Sequence, residues 1–166
     1  MPLYRGVVSI DVRPATEADL STVRQIAQDA YGGYPAAIGV RPMPLDADYA
    51  AQISAGEVWV LTIDERVRGF AVLQPRTDHL LLENVAVTPE LQGTGLGSRL
   101  LATAENHARE LGLDQVRLYT NQAMTQNIVF YARRGYRETS RSTEGAWSRV
   151  FMTKQFSTDT GSPRSS

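Results

Sequence analysis

The sequence predicts an α/β domain with a mixed sheet, and three observations carry that expectation. The first is a nearly unbroken apolar run over Leu80–Val87, which leads through a glycine-rich turn into a helix with Leu96, Leu100, Ala104, Ala108 and Leu111 at helical spacing. That pattern is a strand buried on both faces, followed by a crossover helix. The second is a pair of short helical stretches after a first alternating strand, and the third is a succession of three strands that ends on the apolar run. At 166 residues and 42% hydrophobic composition the chain can build one substantial core, so residues 1–156 read as a single domain. Residues 157–166, rich in Ser, Thr, Gly and Pro, read as a disordered tail.

Composition removes several function classes. The formal net charge is -1, and no basic run interleaves with aromatics, which argues against a nucleic-acid partner. There is no cysteine, so disulfides, thiolate metal sites and a cysteine nucleophile are excluded, and no metal is expected. The N-terminal residues lack the apolar core of a signal peptide, and no window approaches about 18 consecutive apolar residues. The expectation is a cytoplasmic protein with no membrane partner.

The elements follow in order. Val8, Ile10 and Val12 alternate with polar residues and give a first strand that ends at Pro14. Thr16 to Asp19 reads as a capped helix start in which Asp19 reaches back to the cap amide. The helix turns Leu20, Val23, Ala27 and Ala30 inward and ends near Tyr31, before Gly32 and Gly33. Residues 31–45, with three prolines and three glycines, form the least regular segment. Residues 46–54 give a short helix with Tyr49 and Ile53 on one side. Strands follow at 58–63 and 67–73, with turns at 64–66 and 74–78. After the long helix, which Gly112 closes, 115–120 is a strand with Val116, Leu118 and Thr120 on one face. A helix at 123–134 and strands at 135–141 and 148–154 complete the domain.

The turn Gln92-Gly93-Thr94-Gly95-Leu96-Gly97-Ser98 is the chemically informative stretch. The first amides of a helix lack intrahelical acceptors and sit at the positive end of its dipole, and glycines let an anion approach the backbone. The turn therefore suits a phosphate or diphosphate. It is not a P-loop, because Gly97 is followed by Ser98 and Arg99 rather than by Lys and a hydroxyl residue. Nor is it a dinucleotide fingerprint, because Gly93, Gly95 and Gly97 alternate and no acid ends the next strand. A turn that only tightens the connection is the remaining alternative from this stretch alone.

Gln92, Gly95 and Gly97, preceded by Glu83-Asn84-Val85-Ala86-Val87-Thr88-Pro89, resemble the acetyl-CoA signature of the GNAT superfamily of N-acetyltransferases. A second block, Asn127 to Tyr136, has that family's Tyr near a helix end and the Gly-Tyr pair opening the next strand. The resemblance implies a central mixed sheet of about six to seven strands flanked by about four helices. It also implies an enzyme that moves an acetyl group from acetyl-CoA to a primary amine by direct attack in a ternary complex.

Residue by residue, the resemblance places the pantetheine arm along the backbone of Val85, Ala86 and Val87. The diphosphate then lies on the amides of Gly93, Thr94, Gly95, Leu96 and Gly97, with Gln92 and Ser98 beside it. Tyr131 takes the place of the phenol that protonates the leaving thiolate; an ordinary core aromatic is its other reading. Asn127, one helical turn earlier, would touch pantetheine or order a water. The commoner family pattern has an Asn where this chain has Met124, which leaves Asn121 or Asn127 to stand in for it.

Glu83, an acid inside an apolar run, is the candidate general base, with a water chain or a purely paired carboxylate as alternatives. His79 and His107 read as surface residues. The acceptor is a small molecule or a peptide amine. The tyrosines of 31–49, with Arg41, Asp46 and Asp48, slightly favour a small polar amine with a carboxylate. A homodimer is compatible with the family. Two rivals remain at this stage: a non-catalytic acyl-CoA-binding or regulatory domain, and a nucleotide-binding protein that uses the same turn.

Overall fold

The computed structural model describes residues 8–32, 43–145 and 147–156. Most of the irregular segment expected over 31–45, and all of the tail expected over 157–166, lie outside the described residues. The strands are β1 (Ile10–Pro14), β2 (Val58–Ile63), β3 (Arg66–Pro75), β4 (Leu80–Val87), β5 (Gln115–Asn121), β6 (Arg137–Glu144) and β7 (Trp147–Gln155). The α-helices among the described residues are α1 (Leu20–Tyr31), α2 (Tyr49–Ser54), α3 (Leu96–Glu110) and α4 (Thr125–Ala132). The sheet has seven strands in the order β1-β2-β3-β4-β5-β7-β6, and it mixes antiparallel with parallel pairs. The chain forms two compact units, Met1–Val72 with Asn84–Leu101, and Leu73–Glu83 with Ala102–Ser166.

In the first unit β1, β2 and β3 are antiparallel. The β2–β3 turn puts Asp64 and Glu65 at φ of 49° and 70°, the left-handed pair that a tight hairpin requires. Strand β1 begins later than the alternation suggested, with Val8 exposed, and takes in Pro14 opposite Trp59. An end strand tolerates proline because its outer amides have no ladder partner to lose. The expected cap forms on a 3-10 turn, Glu17–Asp19, that leads into helix α1, where Asp19 Oδ2 accepts from the Thr16 amide at 2.8 Å. Arg13 adds a two-pronged bond to the same carboxylate at 2.8 and 3.1 Å. Val23, Ile26 and Ala27 of α1 pack with Tyr49 and Ile53 of α2 against Val58, Val60 and Phe70 of the sheet. The Tyr49 and Phe70 rings meet edge-on at 5.4 Å.

In the second unit the start of β4 runs parallel to β5, from Leu80–Val116 to Leu82–Leu118, and β5 and β6 both pair antiparallel with β7. Val116, Leu118, Val150 and Met152 are buried, as are Ala104 and Ala108 of α3. Gly112, at φ 74°, closes α3, and the Leu113 amide bonds back to the Ala108 carbonyl at 2.9 Å.

Two expectations are corrected here. Leu111 does not face inward; it is 47% exposed, because the helix ends at Glu110 and helical spacing no longer governs the next residue. Strand β4 is not buried on both faces. Leu80, Leu82, Asn84 and Ala86 are buried, whereas Leu81, Glu83 and Val85 are half-buried.

Candidate active site

In the first unit, β4 gives way to a short 3-10 turn at Pro89–Leu91 and then to the glycines. Gly93 and Gly95 have φ of 80° and 92°, and a Cβ built on either would meet nothing within 4 Å. Glycine is required there by backbone conformation, and the space in front of both is open. The Thr94 amide bonds to the Leu91 carbonyl at 3.3 Å, and the Arg99 amide to the Gly95 carbonyl at 3.3 Å. The amides of Gly93, Gly95, Leu96 and Gly97 have no acceptor among the described residues. Four unpaired donors at the positive end of a 15-residue helix fit a diphosphate. Gln92 and Thr94 are exposed and Ser98 half-buried, while the Thr94 hydroxyl is turned onto the Leu91 carbonyl of its own turn.

Upstream in the same unit, the Tyr31 hydroxyl lies 2.6 Å from Asn84 Oδ1 and 2.9 Å from the Val85 carbonyl. Asn84 Nδ2 donates to the Tyr49 hydroxyl at 3.1 Å, and that hydroxyl donates to the Pro44 carbonyl at 2.6 Å. This buried polar chain ties the end of α1 and the start of α2 to β4. Sequence reasoning picked Glu83 from the apolar run and passed over Asn84. The available signal was that a buried amide side chain must find partners, and the nearby tyrosines could supply them. The Val85 carbonyl, assigned above to pantetheine, already has a phenol beside it. Ala86 and Val87 are buried, and contribute backbone only. A Cβ on Gly69 of β3 would come within 2.9 Å of the Ala86 carbonyl, which explains the glycine inside that strand.

In the second unit Tyr131 sits on the last turn of α4, edge-on to Phe130 at 5.2 Å and to Tyr136 at 5.8 Å. Its hydroxyl makes no hydrogen bond among the described residues, and burial pushes its pKa up to about 12. Burial raises the Tyr136 phenol further, assisted by the charge of Glu105. Of the two asparagines that could replace the missing family residue, Asn121 holds the Ala123 amide at 2.8 Å and so caps the turn before α4. Asn127 points its amide at Met124 Sδ, 3.6 Å away.

Glu83 is half-buried and follows the last β4–β5 ladder pair, as Tyr119 does on β5. The Tyr119 phenol is raised by burial first and then by the Glu83 charge, with Arg149 and Arg76 opposing. Arg149 lies 5.2 Å from the Tyr119 ring centre and 5.9 Å from that of Trp147, and Phe151 lies 6.0 Å from Tyr119. None of Tyr119, Trp147, Arg149 and Phe151 was singled out from sequence, although strict alternation with the buried residues of β5 and β7 was there to be read. His79 and His107 are more covered than expected, with 17% and 21% of their side chains exposed. Among the described residues no group of His, Asp or Glu could hold a metal, and no helix is long and apolar enough to cross a membrane.

The framework of the chain is a mixed α/β sheet in which a strand leads through a glycine turn to a helix start with unpaired amides. The chain belongs to the acetyltransferase (GNAT) family, whose profile matches residues 21–136. Among curated relatives, 52 residues are 44% identical to mycothiol acetyltransferase of Thermobispora bispora, covering 31% of this chain and 18% of that protein. Another 58-residue match, at 36% identity, is to the aminoalkylphosphonate N-acetyltransferase of Salmonella typhimurium, over 35% of this chain and 38% of that one. The chain thus spans well under half the length of either relative. Among solved structures, the PaiA N-acetyltransferase of Thermoplasma acidophilum in complex with coenzyme A superposes with a TM-score of 0.78. That match has 20% identity and covers 89% of this chain and 99% of the other, a likeness of fold.

Proposed function

We propose that the chain is an N-acetyltransferase that moves the acetyl group of acetyl-CoA to a primary amine, with a small polar amine favoured over a peptide terminus. The observation that carries this reading is the set of unpaired amides at Gly93, Gly95, Leu96 and Gly97 in a chain of this family. Those amides hold the diphosphate, with Thr94, Gln92 and Ser98 at the rim, and the backbone of Val85, Ala86 and Val87 aligns the pantetheine arm. When bound, acetyl-CoA supplies an acyl group already activated as a thioester.

The remaining chemistry belongs to side chains. Glu83 accepts a proton from the substrate ammonium, which frees the nitrogen lone pair for attack on the acetyl carbon. A C–N bond forms and the C–S bond breaks. A strand amide near Val87 would hold the oxygen on which charge develops. Tyr131 Oη, a phenol that is neutral at working pH at its ordinary pKa and stays so further into alkali because of burial, gives its proton to the departing sulfur. It recovers one from the nitrogen, so one proton is released per turnover. Asn127 orients the arm near Tyr131.

The test is a thiol-release screen with acetyl-CoA against amino acids, polyamines, aminoglycosides and peptides, alongside calorimetry with coenzyme A. Heat of binding together with thiol release supports transfer. Binding without thiol release on any amine identifies a non-catalytic acyl-CoA-binding domain, and no binding at all removes the whole assignment.

A further inference from the structure

The edge of β4 that faces away from β3 carries the Val85 carbonyl. On the β3 side, the Thr88 amide bonds to the Arg68 carbonyl at 2.9 Å, and the Ala86 carbonyl lies 2.9 Å from a Cβ built on Gly69. Successive residues of a strand turn their backbone groups to opposite edges, so the Val85 carbonyl points the other way. Pairing of β4 with β5 runs only from Leu80 to Leu82, and that carbonyl lies beyond it. The Tyr31 hydroxyl stands 2.9 Å away.

That hydroxyl has one proton and two acceptors, because Asn84 Oδ1 lies nearer, at 2.6 Å. The rest of the polar chain decides which of them receives it. The Pro44 carbonyl can only accept, so the Tyr49 proton goes there, at 2.6 Å, and Tyr49 must accept from Asn84 Nδ2 at 3.1 Å. This orientation turns Asn84 Oδ1 to Tyr31. Asn84 is buried, where an acceptor left without a donor is costly. The Tyr31 proton therefore belongs to Asn84, and the Val85 carbonyl stays an acceptor in want of a donor.

We propose that Asn84 is a positioning residue: by holding the Tyr31 proton, it keeps the Val85 carbonyl open to an N–H of the ligand, a secondary amide of the pantetheine arm. The inference deepens the acetyl-transfer reading and rests on it for the identity of the ligand. Without Asn84 the Tyr31 hydroxyl would turn to Val85 and close the site. Removing the hydroxyl as well would open it again. A merely structural role predicts the reverse, since each further loss of a buried hydrogen bond weakens the fold and the site together.

The experiment uses the full chain and calorimetry with coenzyme A, with pantetheine, and with ADP phosphorylated on its ribose, the nucleotide half of coenzyme A. N84L should weaken coenzyme A and pantetheine alike by about tenfold, the scale of one hydrogen bond, and leave the nucleotide half unchanged. The N84L/Y31F double variant should regain most of that loss. N84D, whose carboxyl oxygen still accepts from Tyr31, should bind like the wild type. A double variant that binds no better than N84L overturns the proposal, and so does an N84L chain that keeps full affinity or loses the nucleotide half equally.

The carbonyl carbon resonance of Val85, read through the Ala86 amide, reports the proton without any ligand. It should coincide in wild type and Y31F, move downfield in N84L, and return in the double variant. A shift in Y31F means that Tyr31 already donates to Val85, and it overturns the proposal even if N84L does not fold. The expected shifts in a wild type with no affinity for coenzyme A would instead overturn only the acetyl-transfer reading.

Discussion

Tyr131 and Asp19 are displaced from their ordinary protonation behaviour in ways that carry opposite consequences for stability. Burial holds the Tyr131 phenol neutral, with its pKa near 12 against an ordinary value of 10.0. The proton therefore stays on in the folded chain after the unfolded chain has lost it. The resulting stabilisation is complete below pH 10 and is lost as pH rises through the folded value. Y131F should shrink the alkaline limb in urea titrations by the share of Tyr131, leaving the part that Tyr136 contributes. It should also lower kcat by roughly a hundredfold, the lower end of what one positioned proton donor contributes. Unchanged turnover would remove the acid role and leave Tyr131 as a ring packed between Phe130 and Tyr136. Asp19 runs the other way: the Arg13 hydrogen bond first, and then the Thr16 amide against the cost of burial, hold its pKa below 3.8. Its contribution is present above that value and is lost as pH falls through the folded one. D19N should cost about 1–2 kcal/mol at neutral pH, discounted for the solvent that reaches Arg13, and the gap to wild type should close on acidification.

At the scale of an element, the β4–turn–α3 unit was legible because each part has its own local cause. Apolar continuity gives the strand, alternate glycines the turn, and a 3.6-residue period the helix. What could not be read was which face of β4 lies open, since Leu80–Val87 looks the same whether one side is buried or both. The two glycines beside this unit differ in a testable way. At Gly95 a side chain would meet no atom but would have to adopt φ of 92°. G95A should therefore cost about 1–2 kcal/mol through the backbone alone, and it should weaken coenzyme A binding as the neighbouring amides turn away. At Gly69 the backbone is ordinary and the obstacle is the Ala86 carbonyl 2.9 Å away. G69A should cost about 1–3 kcal/mol by overpacking. Urea midpoints measure both, and calorimetry with coenzyme A measures the binding loss in G95A.

For the whole molecule, the class of fold was legible and its long-range pairing was not. Nothing local in residues 115–155 says that β7 lies between β5 and β6, because a strand order depends on partners that sequence spacing does not encode. The same holds for Tyr31 and Asn84, which are 53 residues apart and joined by a 2.6 Å hydrogen bond, and for the aromatic face that Tyr119 shares with Trp147. By contrast the amides proposed to hold the anion, Gly93, Gly95, Leu96 and Gly97, are contiguous in sequence. That contiguity permits a prediction for the entire chain. A ligand that binds only the folded state adds about 2.7 kcal/mol at a hundred times its Kd. In a chain of this size each kcal/mol moves Tm by about 2–4 °C, so coenzyme A at that excess should raise Tm by about 5–11 °C. Pantetheine at the same concentration has the arm without the diphosphate and should produce a much smaller rise, while G95A should blunt the response to coenzyme A. Equal shifts from the two compounds would mean that the helix-start amides do not hold the diphosphate, whatever else the β4 backbone binds.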